Sequence, residues 1–130
     1  MTDDSRKALR EKGEKIRREV LGGKYVDASM NKANAFNGGL QKLLNEYCWG
    51  DAWGGEALTR KERSMINLAI LTALGKQHEV AVHVRGAKNN GLTDEQIAEI
   101  FLHSAVYCGV PAAVDSFRTA TQVLVEYEKE

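Results

Sequence analysis

A single proline, Pro111, interrupts 130 residues, and no stretch alternates apolar and polar residues as a half-buried strand must. Glycine does the punctuating instead. Gly22-Gly23, Gly75, Gly91 and Gly109 separate runs whose apolar residues recur at three- and four-residue spacing. A chain patterned this way folds as helices joined by short glycine turns, so the expected fold class is all-α.

The boundaries follow from local chemistry. A charged helix is expected over residues 3–21, opening at Asp3 or Asp4 and stopping at Gly22-Gly23. Its apolar stripe, Leu9, Ile16 and Val20, is narrow, which suits an N-terminal arm (residues 1–22) lying on the surface or docked on a neighbouring subunit. Residues 27–36 read as a short helical or irregular entry, and an amphipathic helix follows from about residue 37 to residue 49. Gly50, Asp51, Gly54 and Gly55 then mark a loop. Thr59 and Glu62 form a capping box, in which hydroxyl and carboxylate satisfy orphan amide protons of a helix start. The helix they open is apolar nearly all round up to Gly75, as a central helix would be. Another helix spans about 77–90 and ends at Gly91. Thr93 and Gln96 form a second capping box for a helix ending at Gly109, and Pro111 suits the first turn of a last helix reaching about residue 126.

Size and charge narrow the function classes. At 14.4 kDa the chain is expected to be one domain, residues 1–130. Lys plus Arg equals Asp plus Glu at 18 each, which disfavours nucleic acid and anionic membranes as partners. No apolar run approaches the roughly 18 residues that span a bilayer, and the start MTDDSRKALREK is unlike a signal peptide. Cys48 and Cys108 stand apart with no CxxC, which fits a reduced, cytoplasmic setting.

The candidate chemistry lies in QHEVAVHVRGAKNN, residues 77–90. Glu79 and His83 are one helical turn apart and within side-chain reach. Buried together they would be a structural ion pair, or a catalytic pair in which the carboxylate sets the tautomer of the imidazole and raises its proton affinity. His78 and His83 are five residues apart, which turns them about 140° from each other on a helix, so they cannot share one metal ion; no metal site is expected. His103 reads as a core or surface histidine. Arg63 and Arg85 sit in apolar helices, either in internal salt bridges or as a clamp for a substrate carboxylate. Trp49 and Trp53, at i and i+4, are either core aromatics or the wall of a pocket.

Val20-Leu21-Gly22, Trp49-Gly50-Asp51-Ala52-Trp53, Arg63-Ser64, Glu79-x-x-x-His83-x-Arg85 and Tyr107-Cys108-Gly109-Val110-Pro111 together resemble the 4-carboxymuconolactone decarboxylase family, over about residues 16–125. The resemblance implies a single-domain, alkylhydroperoxidase D-like helical bundle, assembled as a homo-oligomer (trimer or hexamer), in the protocatechuate branch of aromatic degradation. It implies a carboxy-lyase without cofactor, acting on a small carboxy-lactone. His83 would donate the proton and Glu79 orient it, with these two roles exchangeable. Arg85 and Arg63 would bind carboxylate, and Trp49 and Trp53 would form the apolar wall. Thiol peroxidases of the same superfamily carry a CxxC separated from a histidine by three residues; aligned on His83, those positions hold Lys76 and Glu79. Decarboxylases of the family carry Arg two residues after the second Trp, where this chain has Gly55. That departure implies either a changed substrate or an anion site completed by Arg63, Arg85 or another residue. A helical ligand-binding protein without chemistry is the alternative class, and a thiol peroxidase-like oxidoreductase lacking CxxC a more distant one.

Overall fold

The computed structural model of the chain describes residues 2–130, and every regular element among them is helical. Helix α1 (Asp3–Leu21) is capped by Thr2, whose hydroxyl accepts the Ser5 N–H at 3.1 Å. Asp3 and Asp4, expected to open the helix, lie in its first turn, where carboxylates favour the positive end of the helix dipole. Gly22, at φ 90°, ends α1 and also caps α2 (Gly23–Asn31). Helix α3 (Gly38–Leu43) runs directly into a π-helical segment (Leu44–Ala52). Four further helices follow: α4 (Arg60–Leu74), α5 (Gln77–Asn89), α6 (Asp94–Cys108) and α7 (Val110–Glu128). Both capping boxes are present, at Thr59/Glu62 and Thr93/Gln96. Among the described residues no helix is long and apolar enough to cross a membrane.

The chain divides into two compact units, one ending at Leu58 and the other running from Thr59 to Glu130. In the first, α1 is no loose arm but lies along the π segment. A Cβ on Gly13 would fall 1.7 Å from the Asn45 carbonyl oxygen, and one on Gly50 would fall 2.8 Å from Leu9 Cδ1. Polar contacts complete the seam. Arg17, 4% exposed, donates to Gln41 Oε1 at 2.9 Å and Asn45 Oδ1 at 3.1 Å, and Arg10 pairs with Glu46 at 2.6 Å. The loop expected from residue 49 is therefore corrected. Helical structure continues to Ala52, because Gly50 serves a close helix approach rather than a break.

In the second unit α4–α7 enclose Leu68, Val80, Val84, Ile97, Phe101 and Val123, with Phe117 edge-on to Phe101 at 5.4 Å. Helix α4, expected to be buried all round, buries only the stripe Ser64, Leu68 and Thr72. Asn90 donates to Ser64 Oγ at 2.9 Å, and Thr72 Oγ1 shares a hydrogen bond with Ser116 Oγ at 2.8 Å. Small hydroxyl residues with partners can thus occupy the interior, leaving Ile66, Ile70 and Leu74 43%, 50% and 64% exposed.

Candidate active site

Helix α5 buries Val80, His83, Val84 and Ala87, the i, i+3, i+4, i+7 stripe of an amphipathic helix. His83 is buried because its spacing places it on that stripe. It is the only one of the three histidines that is; His78 and His103 are exposed. Desolvation pushes its pKa down from 6.5 to about 4, so the ring is neutral at neutral pH. This corrects the expectation that its proton affinity is raised. Glu79, the carboxylate expected to raise it, is exposed in the first turn of α5, where it also favours the helix dipole.

A residue that meets the imidazole comes from α4. The Asn67 side-chain nitrogen lies 3.5 Å from His83 Nδ1. Sequence reasoning passed over Asn67; the available signal was an amide, a weak helix former, set inside an apolar helical run. Arg63 sits one turn before Asn67 on α4, so the two lie on one side of that helix, and it is half-buried.

Arg85, roughly 200° around α5 from His83, pairs with Glu130 at 2.5 Å and stands over the Tyr127 ring at 5.5 Å. Trp49 and Trp53 belong to the first unit, where they are 3% and 6% exposed and stack with ring centroids 4.8 Å apart. Cys48 and Cys108 fall in different units. A groove of about 520 Å³ between α4 and α6, lined by Met65, Ile66, Ala69 and Ile100 with Glu99 and His103, includes none of the residues singled out for chemistry.

The pairing of a buried neutral imidazole with an amide, one turn from a guanidinium, can hold an anionic substrate and hydrogen-bond a developing oxyanion. Known proteins agree with a decarboxylase. The profile of the carboxymuconolactone decarboxylase family matches residues 38–122. The chain is 37% identical over 111 residues to a 4-carboxymuconolactone decarboxylase of Acinetobacter baylyi, covering 85% of this chain and 83% of that one. It is 38% identical over 114 residues to a nitrosuccinic acid decarboxylase of Metarhizium robertsii, covering 88% and 80%. A 4-carboxymuconolactone decarboxylase of Pseudomonas putida is 41% identical over 39 residues, 30% of this chain and 81% of that one. The chain belongs to the carboxymuconolactone decarboxylase family and is a carboxy-lyase.

Proposed function

We propose that the chain decarboxylates 4-carboxymuconolactone, or a closely related unsaturated carboxy-lactone, without a cofactor. The names of the two relatives matched over most of their length support a dicarboxylic substrate that carries an electron-accepting group. In the lactone, the ring carboxylate is connected through the double bond to the lactone carbonyl. The C–C bond breaks, carbon dioxide leaves, and the electron pair spreads into a dienolate with its charge on the carbonyl oxygen. A proton then adds at the carbon next to that carbonyl, giving the enol-lactone.

The observation that carries this reading is the buried, neutral His83. A neutral imidazole is a hydrogen-bond donor suited to an oxyanion, and a desolvated site strengthens that bond. His83 therefore stabilises the dienolate oxygen. Glu79, exposed and one turn away, relays the proton from solvent to carbon, the exchange of roles that the Glu79-x-x-x-His83 spacing allows. Arg63 binds the retained carboxylate, because it lies one turn from Asn67 on α4, the helix that brings that amide to His83.

Incubating the purified chain with the lactone, and separately with nitrosuccinate, tests this by carbon dioxide release. The lactone should be consumed well above the enzyme-free rate by the parent and not by His83→Leu. A folded parent that leaves the lactone intact would overturn the substrate, and release from nitrosuccinate alone would redirect it.

A further inference from the structure

The contact between α4 and α5 fixes more than a position. The Asn67 amide turns its nitrogen toward Nδ1 at 3.5 Å, and an amide nitrogen, with hydrogens to give and no lone pair to offer, donates. A ring nitrogen that accepts carries no proton. We propose that Asn67 is a positioning residue that holds His83 in the tautomer protonated at Nε2, leaving that N–H as the donor the ring presents. The proposal rests on the reading of His83 as a working residue of the decarboxylase. Its structural basis does not, because the ring and the amide meet without any substrate.

Three features converge on it. Asn67 and His83 come from different helices of one unit, so their contact is set by the packing of α4 on α5 rather than by local chain geometry. His83 lies on the buried stripe of α5, where water cannot readily scramble the two tautomers. Both neutral tautomers carry the same charge, so a directed hydrogen bond to one ring nitrogen shifts the balance between them beyond the modest preference seen in water. An Nε2–H donor that is fixed before substrate arrives needs no reorganisation when charge develops on the dienolate oxygen.

Nitrogen NMR of protein labelled with ¹⁵N at histidine separates protonated from unprotonated ring nitrogens, and only three histidines contribute. The parent at pH 7.5 should show His83 with Nδ1 unprotonated and accepting. That form is also the commoner one in water, so Asn67→Asp is the decisive arm. An ionised carboxylate can only accept, and it should convert His83 to the Nδ1-protonated form. Asn67→Leu, which removes the amide donor, serves if the Asp variant fails to fold; there the Nδ1-protonated form should become detectable. An Nδ1-protonated parent, or an unchanged His83 signature in the folded variant, would overturn the proposal. In turnover of the lactone, Asn67→Asp should lower kcat by about tenfold or more with KM little moved. Loss of lactone activity in every form, with the NMR result intact, would count against the substrate and not against Asn67.

Discussion

Gly13 of α1 and Asn45 of the π segment approach so closely that a methyl group on the glycine would lie 1.7 Å from the Asn45 carbonyl oxygen. Backbone on both sides leaves no flexible side chain to yield. Gly13→Ala should therefore destabilise the protein by about 2 kcal/mol or more, within or above the usual range for overpacking. Gly39→Ala, where nothing lies within 4 Å of the added carbon, should be neutral or slightly stabilising. Urea unfolding of both variants checks this; equal midpoints would contradict the close approach.

His83 ties stability to pH with a definite sign. Its folded pKa, about 4, lies below the unfolded value of 6.5, so the unfolded chain binds the proton more readily. Its contribution is full above pH 6.5 and is lost as the pH falls from there toward 4. The loss should amount to about 2 kcal/mol by pH 5, and about 3 kcal/mol once complete. Unfolding free energies at pH 7.5 and pH 5 should differ by this increment more in the parent than in His83→Leu. Identical pH dependence in the two would remove His83 from the account.

The same residue distinguishes an oxyanion donor from a proton donor. Glutamine keeps a neutral hydrogen-bond donor near the position of the ring nitrogen, whereas leucine keeps only volume. His83→Leu should reduce kcat by about 10² to 10³-fold, the span seen for a lost oxyanion donor. His83→Gln should recover at least about tenfold of that loss. Equal kcat values for the two variants would favour proton transfer from the ring itself.

Arg63 and Arg85 should separate in substrate binding. Arg63→Gln is expected to raise KM by about tenfold or more, the effect of removing a charge-assisted hydrogen bond. Arg85→Gln should alter KM by no more than a few-fold, because its guanidinium is engaged by Glu130. Steady-state kinetics on the lactone decide it, and the reverse order would move the anion site to Arg85.

Leu102, Val106, Tyr107 and Val110, straddling the α6–α7 corner, are 60–80% exposed, the kind of apolar surface that marks a contact between subunits. A homo-oligomer is expected, with a mass by light scattering several times 14.4 kDa. Val106→Glu or Tyr107→Glu should lower that mass. A parent that stays monomeric at micromolar concentration would refute it.

What could be read in the sequence depended on how far apart the interacting residues lie. The capping boxes were legible because Thr59 and Glu62, or Thr93 and Gln96, satisfy each other within a single turn. His83 was singled out by its one-turn spacing from Glu79, whereas the stripe it shares with Val80, Val84 and Ala87 is what buries it and leaves Glu79 outside. Gly50 was misread because a helix-breaking glycine and one that admits a neighbouring helix look alike until Leu9 is in place against it. Arg17 belongs to a charged helix expected to lie on the surface or on a neighbouring subunit, yet Gln41 and Asn45 make it an interior residue. Asn67 went unnoticed for the same reason, since its partner is 16 residues away.

Gly22 and Gly109 each end one helix and cap the next, with φ of 90° and 101°. At those corners the chain has no slack, so an added residue would rotate the following helix by about 100° and turn its buried stripe toward water. The connections at 75–76 and 90–93 are scarcely longer, and among the described residues only 32–37 and 53–59 offer real lengths of chain. A reporter domain spliced into this protein, or new loops grown on it by directed evolution, therefore has two points of entry, and the rest of the molecule will accept change only by substitution.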